Sequence, residues 1–365
     1  MRRRHALLAG LLCAGSGLAW QWLTVRFNYS GNWTALFCHG SQYPVPASLA
    51  WEHIYVFPES GGYDGQSYHY VAHDPLCRTD ICRAVPDPGR RYPRILVPGL
   101  AYLLALGRQQ WIDSAFVAVN IGFLFLGAFW LAQLCRRPWW AALYVVVPSS
   151  ISSLDRMLVD LAWVSLCLGF AVALRERRAW QLWTIFAAAA LCRETGFLLF
   201  AAYALVLARE RRWREIAGFA TALLPAIAWN IRSGAGGFGA PIPFAGIVDA
   251  VRHPRAYPFG AAATAILRGF DWLQLAGLLL AIAYGLAGAR RLARNPIEGL
   301  MFLLACFAIV IPPGTYDDPL AGARILSPLL LFQWLEGRRL PMAMAAPRVW
   351  VQLTPQVFGL LRGWL

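Results

Sequence analysis

The chain has 365 residues, of which 58% are hydrophobic and only 14% are charged, and its mean hydropathy is +0.48. Soluble domains carry about 25% charged residues, so the composition excludes an ordinary soluble protein and predicts an all-α, polytopic integral membrane protein. The net charge of +14 comes from 33 arginines without any lysine, and they cluster between apolar runs. Such clusters are typical of cytoplasmic loops, so nucleic acid is not an expected partner.

The first predicted element is a transmembrane helix over the apolar run from Ala6 to Val25, which follows Arg2–Arg4. The run is longer than the apolar part of a typical signal peptide, and no Ala-x-Ala cleavage site follows it. We therefore expect a retained first helix, with its arginines in the cytoplasm.

Residues 26–111 form the one long hydrophilic segment and are predicted to be an external loop that carries short juxtamembrane helices. Within it, the apolar stretch 92–107 could cross the membrane under strain or lie half-inserted at the outer surface. Cys77 and Cys82 could form a disulfide if the loop faces an oxidising compartment. Two free thiols are the alternative.

The later apolar runs alternate with arginine clusters, and this alternation decides the topology. If 92–107 does not cross, every cluster from Arg136-Arg137 to Arg338-Arg339 lies on the same side as the amino-terminal arginines; if it crosses, they all lie opposite. The half-inserted reading therefore predicts about ten transmembrane helices, cytoplasmic termini and a cytoplasmic tail over 340–365. The predicted spans are 6–25, 112–134, 139–152, 157–174, 180–192, 197–208, 216–231, 272–289, 297–311 and 325–335.

This topology leaves many ionisable residues at the outer boundary of the membrane. Charges there cost a few kcal/mol each unless they are paired or hydrated. We therefore predict a polar cavity that opens outwards, with ordinary headgroup-level charges as the alternative. Arg193-Glu194 favours the cavity, because this pair divides an apolar stretch into two short halves.

The candidate catalytic residue is Asp64, in Tyr63-Asp64-Gly65-Gln66. A carboxylate that removes a proton from a sugar hydroxyl must lie beside the attacking oxygen, and flanking glycines allow a tight turn and close approach. A plain Asp-Gly surface turn is the alternative. The candidate substrate-binding residues are Gln66, Tyr68, His69, Asp74, Arg91, Arg94, Asp155, Arg193, Glu194 and Arg324.

His69 and His73 are spaced to share one face of a helix. With Asp64 or Asp74 they could bind a metal ion, although two histidines are only half of a site and interfacial polar residues are the alternative. No metal ligand is assigned on this basis, and a divalent metal is left open as a cofactor.

Taken together, these motifs resemble bacterial membrane glycosyltransferases of the GT-C type, and most closely a group associated with cell-surface glycopolymer formation. The resemblance follows the order of most of the chain, although each motif is short. It is carried by Asp64-Gly65-Gln66, Asp74-Pro75, Arg90-Arg91-Tyr92-x-Arg94-Ile95-Leu96-x-Pro98, Arg193-Glu194-Thr195-Gly196 and Arg324-x-x-x-Pro328-Leu329.

The resemblance implies that Asp64 is the general base in the first external loop and that the donor is a polyprenyl-phosphate-linked monosaccharide. It implies phosphate binding by Arg94, Arg193 or Arg324, and an inverting transfer to a glycan or lipid acceptor at the outer face of a bacterial plasma membrane. The sequence departs from the family pattern in two features that concern the acceptor. No large carboxy-terminal soluble domain is present, and His69 stands where another aromatic residue is expected.

Two other functions fit the same sequence features. A lipid-linked sugar transporter or flippase would bind the same ligand without breaking a bond, and such proteins often contain internal repeats, which this sequence does not show. A non-catalytic assembly subunit would not need Asp64 and the arginines in one cavity.

Overall fold

We describe a computed structural model of the chain over residues 2–135, 137–236 and 241–364. Arg136, half of one predicted cytoplasmic cluster, lies outside these described residues. Over the described residues the chain is almost entirely helical, which confirms the all-α prediction. The helices are α1 (Arg2–Asn28), α2 (Asp64–His73), α3 (Ile81–Ala84), α4 (Pro88–Arg91), α5 (Leu96–Leu104), α6 (Ile112–Leu134), α7 (Pro148–Arg156), α8 (Asp160–Glu176), α9 (Ala179–Cys192), α10 (Phe197–Arg209), α11 (Trp213–Ala220), α12 (Leu224–Arg232), α13 (Ala245–Arg252), α14 (Ala261–Ala287), α15 (Pro296–Ile309), α16 (Ala321–Ile325), α17 (Ser327–Leu335), α18 (Leu340–Gln352) and α19 (Thr354–Trp364).

Short 3₁₀ helices and one minimal sheet connect these elements. The strands β1 (His39–Gly40) and β2 (Val56–Phe57) pair in parallel, with His39 opposite Val56. The 3₁₀ helices are Trp33–Phe37, Ala47–Glu52, Gln109–Trp111, Pro138–Val146, Glu194–Gly196, Thr221–Leu223 and Gly288–Arg291.

Three stretches of helix are long and apolar enough to cross a membrane: Arg3–Asn28, Gln109–Leu134 and Ala261–Arg291. Two shorter apolar helices, Ala179–Cys192 and Pro296–Ile309, coincide with further predicted spans. The helices at the other predicted spans are shorter or divided by 3₁₀ turns. The described residues are thus compatible with a membrane protein, while length and apolarity support three of the ten predicted crossings.

Helices α1 and α6 approach closely because α1 presents glycines to its neighbour. A Cβ atom on Gly17 would lie 2.3 Å from Leu124 Cδ2, and one on Gly10 would lie 2.9 Å from Phe125. In a membrane the hydrophobic effect does not drive helices together, so small residues matter because they allow two helix backbones to pack tightly.

The predicted external loop folds as a small unit with its own core. It contains the short helices α2 to α5, and every residue of α2 from Gly65 to His73 is buried. Cys77 and Cys82 form a disulfide, with a Cα–Cα distance of 5.0 Å. The core of the unit contains Leu49, Tyr70, Val71, Ile81, Val85 and Tyr92.

The half-inserted stretch corresponds to α5, which has nine residues. At 1.5 Å per residue it is about 14 Å long, too short for a hydrocarbon core of about 30 Å. Leu103 and Leu104 at its end and Leu106 just after it are 59–80% accessible. The position of this stretch at the membrane surface stays a prediction.

The carboxy-terminal segment is packed into the protein. Gln274 Nε2 of α14 donates to the carbonyl of Ala345 in α18 at 3.4 Å, and Gln356 Nε2 lies 3.3 Å from Asp155 Oδ2. An external Asp155 and a cytoplasmic tail over 340–365 are therefore incompatible predictions. Asn28, at the predicted outer end of α1, also donates to the Gln356 carbonyl, so the cytoplasmic tail is the weaker of the two.

Gly65 fixes how deeply α2 sits in the fold. A Cβ atom at this position would lie 2.1 Å from the carbonyl oxygen of Arg156 and 2.9 Å from that of Phe37. Both neighbours are backbone atoms, so they cannot move aside by a rotamer change. The glycine next to Asp64 thus serves close packing of two backbones.

We expect Gly65→Ala to lower the free energy of unfolding by about 1–3 kcal/mol, the usual cost of overpacking. Thermal unfolding in detergent measures the effect. Gly218→Ala is the control, because a Cβ atom there meets nothing within 4 Å and alanine favours the helix by up to about 1 kcal/mol. Equal melting temperatures for the two variants would contradict the close contact.

Candidate active site

Asp64 is the first residue of α2 and lines a cavity of about 640 Å³. The turn before it is held by the Tyr63 amide, which donates to the Cys38 carbonyl at 3.0 Å, and by Gly62 at a φ of +71°. A carboxylate in the first turn of a helix interacts favourably with the helix dipole. The local sequence therefore presents an ionised carboxylate on a rigid support.

Both oxygens of Asp64 contact arginines that come from distant parts of the chain. Arg91 Nη2 lies 2.7 Å from Oδ1, and Arg324 Nη2 lies 3.3 Å from Oδ2. The side chain of Asp64 is 23% exposed, whereas that of Arg324 is only 5% exposed. The two guanidinium groups therefore hold the carboxylate from two sides.

The ion pairs continue inwards from Arg324 through Asp160 to Arg193. Arg324 Nη1 lies 3.3 Å from Asp160 Oδ2, and Arg193 Nη1 contacts the other oxygen of Asp160. This single carboxylate thus bridges two buried arginines from α16 and from the α9–α10 connection. Without Asp160, the two buried guanidinium groups would lose the carboxylate between them and keep only Asp64 and the more distant Glu194 as partners.

A second branch fixes Arg94. Its guanidinium group forms two parallel hydrogen bonds to Glu194, at 2.9 and 2.7 Å, and a third to the Tyr68 hydroxyl at 3.0 Å. Glu194 Oε1 lies 3.8 Å from Arg193 Nη2, which joins this branch to the first. Four arginines and three carboxylates therefore form one connected network with a positive excess.

Burial raises the pKa of Asp64, but the charges of Arg91 and Arg324 outweigh this effect and hold the pKa well below its usual range. The ion pairs therefore contribute stability at every pH above about 3.9, the ordinary pKa of an aspartate. The contribution is lost as the pH falls through the lower pKa of the folded state. In the ligand-free protein Asp64 is an ionised group and a weak base.

Several donors of this network are buried without a hydrogen bond. They are Arg91 Nε, Arg193 Nε, Arg324 Nε, Arg324 Nη1 and Thr195 Oγ1. A buried donor that lacks an acceptor costs about 1–3 kcal/mol. Arg324 Nη1 still has Asp160 Oδ2 at 3.3 Å as an ion-pair partner, so the cost falls on the Nε atoms of the three arginines. Oxygens of a bound anion would satisfy them.

The cavity beside Asp64 has a volume of about 640 Å³, and two chemically different kinds of residue line it. The polar lining residues are Asp64, Arg90, Arg91, Arg94, Arg193, Glu194, Thr195, Thr315, Asp318 and Arg324. The apolar lining residues are Leu198, Pro241, Ile242, Ala245, Phe307, Val310, Ile311, Pro312, Pro313, Ala321 and Ile325. A ligand that carries both an anion and hydrocarbon complements both kinds of residue.

The fold brings seven of the eleven predicted site residues together. Six of them line the cavity, and the seventh, Tyr68, accepts a hydrogen bond from Arg94. The six that line the cavity are Asp64, Arg91, Arg94, Arg193, Glu194 and Arg324. The arginine and acidic motifs were separated by up to 260 residues in the chain, so their meeting is a property of the fold.

The other four predicted residues lie away from the cavity. Gln66 accepts from the Gly40 amide and holds the preceding loop, and Asp74 accepts from the amides of Arg78 and Thr79 and ends α2. Asp155 pairs with Arg156 and contacts Gln356. His69 faces the opposite side of α2. Their geometry assigns Gln66, Asp74 and Asp155 to the support of the fold.

Sequence reasoning missed Asp160, which holds the centre of the network. The prediction treated it as part of the apolar span 157–174, although an acidic residue inside such a span is itself a signal of function. It also gave no role to Asp318, which accepts a hydrogen bond from the Tyr63 hydroxyl at 2.9 Å and lines the cavity.

His69 and His73 do share one face of α2, but their carboxylate partners are not the predicted Asp64 or Asp74. They face Glu52, in the 3₁₀ helix Ala47–Glu52, and Asp113, in the first turn of α6. Burial lowers the pKa of His69, but Asp113 and Glu52 raise it more, to about 10. In the absence of an ion, His69 therefore carries a proton at neutral pH.

A scan against protein-family models, a search of the curated proteins and a search of the solved structures each found no match to this chain.

Proposed function

We propose that this protein transfers a monosaccharide from a polyprenyl-phosphate donor to a glycan or lipid acceptor, with inversion at the anomeric carbon and with Asp64 as general base. The observation that carries the proposal is the set of buried arginine donors without hydrogen bonds beside Asp64, in a cavity that apolar residues also line. Arginine recognises phosphate through paired N–H groups. The apolar lining residues suit the polyprenyl chain.

In the proposed reaction, the acceptor hydroxyl oxygen attacks the anomeric carbon while the bond from that carbon to the phosphate oxygen breaks. Asp64 takes the hydroxyl proton. The electron pair leaves with the polyprenyl phosphate, whose charge Arg324 and Arg91 stabilise. The network supplies this stabilisation without rearrangement, because Asp160 and Glu194 already fix the neighbouring guanidinium groups.

Donor binding would also prepare the base. In the ligand-free protein both oxygens of Asp64 are paired with arginines, which lowers its pKa and its basicity. Phosphate oxygens that engage Arg91 and Arg324 compete for the same donors and add negative charge nearby. Both effects raise the pKa of Asp64 towards its ordinary value, so the carboxylate becomes a better base only when the donor is present.

This coupling predicts two different pH profiles. The profile of kcat/KM reports the free enzyme, in which the pKa of Asp64 lies below its usual range, and the profile of kcat reports the donor complex. Because activity requires ionised Asp64, both fall on the acid side, and we expect the fall of kcat to begin at higher pH. Steady-state rates of sugar transfer between pH 3 and 7 measure this, because kcat should fall as the pH approaches about 3.9, the ordinary pKa of an aspartate, while kcat/KM stays level. Coinciding acid limbs would contradict the coupling.

The proposal places the reaction at the outer face of a bacterial plasma membrane, where polyprenyl-phosphate sugars would reach the cavity from the lipid. It adopts the ten crossings predicted from the apolar runs and adds α18 as a further one. An additional crossing brings the carboxy terminus to the side of Asp155 and Asn28, in agreement with their contacts to Gln356.

The decisive experiment gives the purified protein in vesicles a labelled undecaprenyl-phosphate monosaccharide and a membrane extract as the source of acceptors. Glycosyl transfer releases undecaprenyl phosphate and moves the label into a new product. A transporter moves the intact donor across the bilayer, and a non-catalytic subunit leaves it unchanged. Either of the last two results would overturn the proposal.

A further inference from the structure

We infer that Glu52, His69, His73 and Asp113 form a binding site for a transition-metal dication such as Zn²⁺, which ties α2 to the outer end of α6. The inference is independent of the proposed function. It rests on a cluster on the face of α2 that turns away from the cavity. One ligand atom from each of the four residues lies within 4.8 Å of all the others.

The separations of the four groups match a tetrahedral ion. Bonds of about 2.0–2.1 Å from zinc to nitrogen or oxygen place neighbouring ligand atoms about 3.3–3.4 Å apart. His69 Nε2 lies 3.2 Å from His73 Nε2, 3.4 Å from Glu52 Oε2 and 2.9 Å from Asp113 Oδ1. His73 Nε2 lies 3.3 Å from the other oxygen of Glu52, Oε1, and 3.4 Å from Asp113 Oδ1. The four side chains are thus close enough to share one ion.

The outer nitrogens of both imidazoles are held by further groups, as is usual for metal-binding histidines. His73 Nδ1 lies 2.6 Å from Gln109 Oε1, and the same amide donates to the His73 carbonyl, which fixes its orientation. The amide oxygen can only accept, so Nδ1 of His73 carries the proton and a neutral ring turns the lone pair of Nε2 towards the cluster. His69 Nδ1 lies 2.9 Å from His39 Nε2.

A buried oxygen without a partner points to the same conclusion. The Glu52 side chain is more than nine-tenths buried, and its Oε2 makes no hydrogen bond. It lies 3.4 Å from His69 Nε2 but outside hydrogen-bond geometry. A coordinated cation would satisfy this oxygen directly.

The ligand set selects the class of ion. Two imidazoles with two carboxylates suit zinc and similar transition metals, whereas Ca²⁺ and Mg²⁺ prefer oxygen ligands throughout. Two carboxylates also balance the charge of a dication. Asp113 is 20% exposed and gives the site an opening to solvent, whereas both histidines are fully buried.

A bound ion would hold α2 in place. His69 and His73 lie in the second and third turns of the helix that begins at Asp64, while Glu52 and Asp113 belong to other elements. A bound ion therefore joins three segments and fixes the helix that carries the carboxylate.

The test is metal binding by the full-length protein in detergent. After equilibration with ZnCl₂ and removal of free metal, elemental analysis should find about one zinc per chain, and CoCl₂ should give the visible absorption of a tetrahedral site. His73→Gln and Asp113→Asn should retain less than a tenth of this metal. His253→Gln is the matched control, because His253 pairs with Asp249 at the surface and is 76% exposed; it should bind as the wild type does.

A ligand variant that does not fold would also lose its metal. Gln109→Leu tests the site without this problem, because it keeps all four ligands. Removing the partner of a metal-bound histidine weakens affinity by about 10–100-fold, and we expect that range in a zinc competition titration. A wild-type protein without tetrahedral cobalt absorption and without bound zinc would overturn the inference, and the cluster would then be a protonated His69 paired with its carboxylates. Equal metal content in the wild type and all ligand variants would overturn it as well.

Discussion

Asp64→Asn is expected to lower kcat for sugar transfer by about 10²–10⁴-fold, the usual contribution of a general base. Asparagine has nearly the same size, so it leaves the start of α2 in place, but it cannot accept the proton of the acceptor hydroxyl. Release of undecaprenyl phosphate from a labelled donor, measured under saturating conditions, gives kcat directly.

The same variant should bind undecaprenyl phosphate at least as tightly as the wild type. Asp64 occupies Nη2 of both Arg91 and Arg324 in the ligand-free protein, so its replacement by a neutral group frees these donors for the phosphate. A fall in kcat without a loss of affinity separates a base from a residue that only holds the cavity together.

Asp271→Asn is the matched control. Asp271 is also paired with a buried arginine, Arg348, at 2.5 Å, and its exposure of 28% is close to the 23% of Asp64. It lies outside the lining of the cavity, so this variant should transfer sugar at the wild-type rate. Transfer by Asp64→Asn at the rate of this control would remove Asp64 from the role of base.

The sequence was sufficient to predict the helical class and the gathering of Asp64 with Arg91 and Arg324. Both predictions depend on properties that can be read from short stretches of sequence. These are the length of the apolar runs and the free-energy cost of a charge near hydrocarbon, which favours pairing of opposite charges. The cost of an unpaired charge predicts that Arg324 needs a partner. It does not predict that Asp160 is that partner, because the choice depends on how α8 and α16 pack.

The histidine cluster shows the same division. A spacing of four residues predicts that His69 and His73 share a helix face. The nearest acidic residues in sequence, Asp64 and Asp74, do not contact this face. Asp64 lines the cavity, and Asp74 accepts hydrogen bonds from the backbone amides that follow α2. Glu52 and Asp113 come from elements on either side of the helix.

The carboxy-terminal segment was predicted to be a cytoplasmic tail because single residues weaken its apolar signal. Pro341, Pro347 and Arg348 interrupt the run, yet Arg348 is 1% exposed and its charge is balanced by Asp271. A hydropathy average along the chain assigns an internal arginine the full cost of a charge, even when a carboxylate partner balances that charge. The structure also removes this cost through the Tyr257 hydroxyl, which accepts from Arg348 Nη2 at 2.8 Å.

Arg324→Gln is expected to weaken the binding of undecaprenyl phosphate by at least about 30-fold. Loss of one partner from a buried charge pair costs about 2–5 kcal/mol, and 2 kcal/mol corresponds to about 30-fold in affinity. Arg324 is 4% exposed and its Nε makes no hydrogen bond, so it has a donor to give to a phosphate. Calorimetric titration of the detergent-solubilised protein with undecaprenyl phosphate measures the change.

Arg348→Gln separates lost binding from lost stability. Arg348 is as deeply buried as Arg324 and pairs with a carboxylate, but it lies outside the cavity. Both variants should therefore unfold at lower temperature, whereas only Arg324→Gln should lose affinity. Arg324→Lys adds a graded test, because lysine keeps the charge near Asp64 and Asp160 but cannot offer two parallel donors, so its affinity should fall between those of the wild type and Arg324→Gln. Equal affinity of Arg324→Gln and Arg348→Gln would mean that the phosphate binds elsewhere, and the unpaired donors beside Asp64 would then need another anion to explain them.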